Sequence, residues 1–323
     1  MNRARRKVIE SSEVSQVVEL ELGGYMQKVL LDGMRAENPV VIFLHGGPGT
    51  PIPFSVGCRG MFPDITEKVT MVCWDQLGCG INDYPIDDSF GIDNFVEMTV
   101  DLIKAMKARF PNNRLYLMGV SWGSVLAARA AVAAQDMLNG VLIYGQVLCD
   151  MTFNEEVYSA LEGSKMPKSR KRQLQKIKMR TEHSEKEAQQ VMGWIRKYTQ
   201  GYMCKEEKTA PMGDIIRGLM SSPDYTMRDF KAMVVNGYMK NKSLIRELTE
   251  ADMREVLRQV KVPYVIMQGS TDIVTSTAAI ERFAAQCGNE NIRVVRVEKS
   301  GHMPGEKAMG LMIEEAAALT ANK

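Results

Sequence analysis

The chain has 323 residues, 45% hydrophobic and 25% charged, and its 41 Lys and Arg nearly balance 39 Asp and Glu for a formal charge of +2. That length suits about two domains, or one large α/β domain with an insertion, and the composition excludes intrinsic disorder, collagen-like sequence and a small disulfide scaffold. A near-neutral whole offers no field for a nucleic-acid partner, and no apolar run approaches the ~20 residues a membrane span needs.

The chain opens with MNRARRKV, charged like the start of a signal peptide. Glu10, Glu13, Glu19 and Glu21 then fall where an apolar core would have to follow. A cytoplasmic protein is therefore expected. The six cysteines, Cys58, Cys73, Cys79, Cys149, Cys204 and Cys287, form no CxxC pair and have no histidine at zinc-finger spacing. Free thiols are expected, with neither metal nor cofactor.

Strands are predicted at 16–22, 26–31, 40–44 and 69–74. The third, VVIFL, is a continuous apolar run of the kind buried on both faces of a parallel sheet. Residues 92–110 have helical periodicity: Phe95, Met98, Leu102, Ile103 and Met106 share one stripe, with Asp93 near the start and Lys107 and Arg109 near the end. A strand at 115–118, an alanine-rich helix at 124–135 and a strand at 141–144 follow. From 151 to about 260 the sequence is helical and charged, without strand alternation; it holds 21 Lys and Arg against 15 Asp and Glu, and 11 of the 24 methionines. Strand–helix alternation then resumes at 262–268, 277–287, 292–297 and 306–319. The prediction is an α/β fold with a mainly parallel eight-stranded sheet, built from 1–150 and 260–323, and an inserted helical cap over 151–259.

The sharpest local signal is Gly119-Val120-Ser121-Trp122-Gly123. It lies after the strand LYLM and directly before the helix SVLAARAA, the context a nucleophile elbow requires. Small residues two before and two after the serine permit a tight turn that lifts the hydroxyl above the sheet, with the first amides of the next helix facing a developing oxyanion. A serine needs a base, and the chain has three histidines, His45, His183 and His302. His302 follows the strand IRVVRV on a loop that a parallel sheet brings to the rim beside Ser121. Asp272, after the strand VPYVIMQ, is the candidate to orient the imidazole; Asp150, after the preceding strand, is the competitor. His183 falls in a charged helix as a solvated residue, and His45 braces the loop below the site. In His45-Gly46-Gly47-Pro48-Gly49, glycines let the backbone approach a substrate while Pro48 fixes the turn. The amides of Gly47 and Trp122 are the candidate oxyanion donors.

Through these residues the sequence resembles the α/β-hydrolase superfamily and, more narrowly, the prolyl aminopeptidase (proline iminopeptidase) group. HGGPG at 45–49, WDQLGCG at 74–80 and GVSWGS at 119–124 match that group's HGGPG, DQRGxGxS and GxSWGS blocks. The resemblance implies a cofactor-free serine hydrolase with the triad Ser121, Asp272 and His302, acting on a small-molecule or short-peptide substrate. It covers the catalytic portion from Leu44 to His302 and does not extend into the cap. Leu77 and Asn82 (or Ile81) stand where the group has arginine and serine. In those peptidases acidic cap residues hold the substrate's free amino terminus, and Glu155 and Glu156 are the candidates for that role here. An esterase or lactonase of the same fold is the alternative activity, and a non-catalytic ligand-binding protein of this fold is the alternative class. The segment 165–180 carries eight basic residues and no acid. It reads as a solvated helix face, or as a surface facing an anionic partner.

Overall fold

The computed structural model describes residues 1, 3–208 and 212–321, so 209–211 of the expected insertion lie outside the described residues. The strands are β1 (Val14–Leu22), β2 (Tyr25–Gly33), β3 (Val40–Leu44), β4 (Thr70–Trp74), β5 (Leu115–Val120), β6 (Gly140–Tyr144), β7 (Tyr264–Gly269) and β8 (Ile292–Val297). They form one sheet in the order β1-β2-β4-β3-β5-β6-β7-β8. β1 and β2 pair antiparallel, β2 meets β4 antiparallel, and every pairing from β4 to β8 is parallel.

Side-chain alternation sorts the inner strands onto two cores. Val40, Ile42 and Leu44 of β3 enter one apolar cluster, while Val41 and Phe43 enter the other. Leu115 and Leu117 of β5 split from Tyr116 and Met118 in the same way, as do Tyr264 and Ile266 of β7 from Val265 and Met267. Such strands must be apolar at consecutive positions, hence the unbroken runs in the sequence.

Helices α1 (Arg3–Ser11), α2 (Pro63–Thr66), α3 (Ile92–Arg109) and α4 (Trp122–Ala133) precede the insertion. α3 lays its predicted stripe on the first core; α4 is buried nearly all round, and its alanines let it sit close to the sheet. α1 was not foreseen. Arg5 serves the fold there: it is buried and donates to the carbonyls of Gly57, Arg59 and Gly218.

Between β6 and β7 come α5 (Glu155–Gly163), α6 (Lys168–Lys178), α7 (Glu185–Tyr198), α8 (Met212–Met220), α9 (Met227–Val234), α10 (Lys242–Glu250) and α11 (Arg254–Arg258). The insertion has two parts with different cores. Val157, Leu161, Leu174, Val191, Trp194 and Ile195 of α5–α7 form a cluster of their own, joined by Val274. Leu219 and Met233 of α8 and α9, and Leu244, Leu248 and Leu257 of α10 and α11, instead belong to the two cores flanking the sheet. α12 (Thr277–Gln286) and α13 (Glu306–Ala321) complete the layers. Among the described residues no helix is long and apolar enough to cross a membrane.

The parallel strands end along a common rim. The segment 45–49 follows β3, Ser121 follows β5, Asp272 follows β7 and His302 follows β8, so residues more than a hundred positions apart in sequence meet at one edge of the sheet.

Candidate active site

Ser121 sits between the last residue of β5 and the first of α4, with φ 52° and ψ −115°. A non-glycine residue in that region is strained, and the neighbours hold it there. Its amide donates to the Tyr144 carbonyl at 3.0 Å. The flanking glycines have a direct steric cause: a Cβ on Gly123 would lie 2.0 Å from the Leu44 carbonyl oxygen, and one on Gly119 2.9 Å from the Gly123 carbonyl oxygen. The chain turns so tightly against β3 that neither position has room for a side chain.

The His302 Nε2 lies 2.9 Å from Ser121 Oγ, and its Nδ1 lies 2.9 Å from Asp272 Oδ2. An ionised carboxylate can only accept, so Nδ1 carries the proton and Nε2 is left to accept from the serine hydroxyl. Asp272 is fixed in turn. Its Oδ1 accepts from the amides of Val274 (2.8 Å) and Thr275 (3.1 Å), and its Oδ2 accepts from the Thr275 hydroxyl at 2.7 Å. All three side chains are buried, Asp272 most deeply. Asp150, the competing acid, is exposed beyond β6. The arrangement can take a proton from the hydroxyl, hold the imidazolium against a carboxylate, and return the proton.

The loop bearing His302 is pinned from two sides. The Tyr144 hydroxyl donates to the Gly301 carbonyl (2.7 Å) and lies 2.6 Å from Ser300 Oγ, which donates to Glu207. From the insertion, the carbonyls of Gly201 and Tyr202 accept from the amides of His302 (3.0 Å) and Met303 (2.8 Å). These anchors were not foreseen, because they come from backbone and single polar side chains far apart in sequence.

The three motif blocks are wired together below the site. His45 Nε2 accepts from the Gln76 amide at 3.1 Å, and Nδ1 lies 2.9 Å from the Gly46 carbonyl, to which it donates. Complete burial pushes the His45 pKa down to about 4, so the ring stays neutral and bridges HGGPG to WDQLGCG. The Trp122 indole donates to Gln76 Oε1 at 2.8 Å, which gives the tryptophan after the serine a structural reason. Asp75 in the same block accepts from the amides of Val56 and Ile81 and from the Tyr225 hydroxyl; its burial raises the pKa to about 6. Asn82, at a departure from the family pattern, bonds the Asp75 and Lys28 carbonyls, and Leu77 is buried in the core.

Gly47, with φ 119°, faces Ser121 across a cavity of about 610 Å³ counted to its open mouth. Among the described residues, neither its amide nor that of Trp122 donates to a protein acceptor, so both are free for an incoming oxyanion. Ile52, Met151, Met192, Arg196, Tyr202 and Met303 are among the other residues that line it.

Glu155 and Glu156 are not brought to this cavity. They open α5, where Glu155 pairs with Lys178 at 2.9 Å and Glu156 with Arg282 at 3.2 Å. Acids in the first turn complement the helix dipole, a sufficient reason for their position. His183 also differs from expectation. It lies on the loop before α7 rather than in a helix, half-buried, with its ring stacked on Phe153 at 3.8 Å. All six cysteines are free thiols, and among the described residues no group of His, Cys, Asp and Glu could hold a metal.

Comparison with known proteins gives consistent results. A family model described as alpha/beta hydrolase fold matches residues 39–308. A probable aminopeptidase, YbaC of Bacillus subtilis (strain 168), is 23% identical over 302 residues, spanning 91% of this chain and 93% of the relative. A proline iminopeptidase of Thermoplasma volcanium is 25% identical over 248 residues, spanning 76% and 78%. The crystal structure of VinJ superposes with a TM-score of 0.64 at 20% identity, covering 95% of this chain and 99% of that one.

Proposed function

The chain belongs to the alpha/beta hydrolase fold family, and from that premise we propose that it is a serine hydrolase cleaving an amide or ester through an acyl-enzyme. The observation that carries this is the unbroken relay from Ser121 Oγ through His302 to Asp272, both links 2.9 Å, at the wall of a cavity. Ser121 attacks the substrate carbonyl as His302 Nε2 takes the hydroxyl proton. Asp272 holds the imidazolium, and the amides of Gly47 and Trp122 receive the oxyanion, each worth roughly 3 kcal/mol in the transition state. His302 returns the proton to the leaving group; water, activated by the same imidazole, then releases the acyl group.

For the substrate, an aminopeptidase of the proline iminopeptidase type is supported by the names of the relatives. A second reading, a carboxylesterase, lactonase or other amide hydrolase, is favoured by the wall itself. Among the described residues lining the cavity there is no carboxylate to hold a substrate ammonium group. The free thiols fit a reducing, cytoplasmic setting, which is part of this proposal.

Proline and alanine arylamides compared with short p-nitrophenyl esters separate the two. Arylamide turnover lost in Ser121→Ala supports the aminopeptidase. Ester turnover alone, again lost in Ser121→Ala, supports the second reading. No Ser121-dependent turnover of either set would favour a non-catalytic ligand-binding protein.

A further inference from the structure

One charged side chain, exposed to solvent, stands in the cavity wall. Arg196, in the last turn of α7, lines both the space beside Ser121 and the adjoining space under α10 bounded by Ile245, Leu248 and Thr249. Its guanidinium carbon lies 4.2 Å from the centre of the Tyr202 ring, and one nitrogen donates to the Tyr202 hydroxyl at 3.1 Å. The Tyr202 ring in turn lies 5.9 Å from the His302 imidazole, centre to centre. Arg196 is therefore held two ring contacts away from the reacting serine.

Among the described residues no carboxylate pairs with it. Of the insertion's described cations, some are matched, Lys178 by Glu155 and Arg180 by Glu187, and others such as Arg170 and Lys197 are not; Arg196 is the unmatched one that lines the cavity beside Ser121. The same wall holds Met151, Met192 and Met303. A guanidinium presents five donors in a planar fork suited to a carboxylate, and its stacking on Tyr202 leaves it oriented before any ligand arrives. Arg196 is itself exposed, so the wall holds its charge without desolvating it.

We propose that Arg196 receives a carboxylate of the substrate, so that the favoured substrate is an amide or ester carrying an anionic group in addition to the scissile bond. This rests on the serine-hydrolase reading and narrows it. The same charge disfavours a substrate whose free ammonium group must enter the cavity.

The test uses esters matched in size and differing in charge. On the acyl side these are p-nitrophenyl hexanoate, the mono-p-nitrophenyl ester of adipic acid and p-nitrophenyl 6-aminohexanoate. On the leaving side they are 4-hexanoyloxybenzoate and its methyl ester. The expected result is a kcat/KM at least about tenfold higher for the anionic member of one set than for its neutral partner, with the cationic ester slowest. That ratio falls towards one in Arg196→Gln, is partly kept in Arg196→Lys, and shrinks in wild type as salt is raised. The ratio cancels any general loss of activity, and the salt series needs no variant at all. Equal turnover across charge in both sets, or a preference for the anion that Arg196→Gln leaves intact, overturns the assignment while leaving the hydrolase standing. Absence of turnover of every ester, with no labelling of Ser121 by a fluorophosphonate, would instead remove the underlying reaction.

Discussion

The rim of the sheet and the helical insertion above it contribute to the same cavity under different constraints. At the rim, backbone geometry dictates residue type. Gly123 is glycine because the Leu44 carbonyl occupies the space of a Cβ, and the sharp turn at Ser121 follows from that packing. In the insertion, Met192, Arg196 and Tyr202 line the cavity from α7 and the loop after it. The insertion is itself divided: α5–α7 carry a separate core, whereas α8–α11 share the cores of the sheet. α7 and the loop after it, which wall the cavity beside Ser121, thus pack mainly in that separate core.

The largest expected effect tests the rim. Asp272→Asn keeps the shape but removes the acceptor that fixes the proton on His302 Nδ1, so kcat should fall roughly 10⁴-fold with little change in fold. A loss of only a few-fold, measured on the best chromogenic substrate, would mean that another group orients the imidazole.

The next effect reads the scaffold below. His45 ionises near pH 6.5 when unfolded and near 4 when folded, because the buried ring has no way to accommodate charge. The unfolded state therefore binds the proton more readily, and stability present above pH 6.5 is lost as pH falls towards 4. The limit is on the order of 3 kcal/mol. His45→Gln retains an acceptor and a donor without titrating. Urea unfolding at pH 7 and pH 5 should show wild type losing stability relative to the variant as the pH drops; a constant difference would contradict this. Asp75 works in the opposite sense. Its raised pKa makes the native state the better proton binder between about pH 4 and 6, which favours the fold at the acid end of that window.

The smallest effect belongs to the insertion. Met192→Ala enlarges the wall without touching the relay, so relative kcat/KM for long and short acyl chains should shift by tenfold or less, with almost no change in thermal stability. A collapse of activity on all substrates would place Met192 in the support of His302 and blur the division between the two regions.

What could be read from the sequence divides along the same line. β3, β5 and β7 announced themselves as apolar runs because both faces are buried, and the parallel order put Ser121, Asp272 and His302 on one rim. The elbow was legible because sterics leave its glycines no alternative. The alanine-rich run predicts a helix from Ser124, whereas α4 starts two residues earlier at Trp122, whose indole reaches Gln76. The cavity wall was not legible. A methionine facing a substrate and one facing a core have the same spacing, and Arg196 has no local pattern to distinguish it from the other cations of the insertion. Glu155 and Glu156 drew notice as acids in the right segment, but their place is set by the start of α5, where Asn154 caps the helix through the Val157 amide at 3.0 Å.

The central claim is that Ser121 is the nucleophile and that His302 activates it. Fluorophosphonate treatment followed by peptide mapping tests both at once. A single adduct on Ser121 is expected, absent in Ser121→Ala and formed far more slowly in His302→Ala. An adduct on another residue, or labelling that persists in Ser121→Ala, would contradict it.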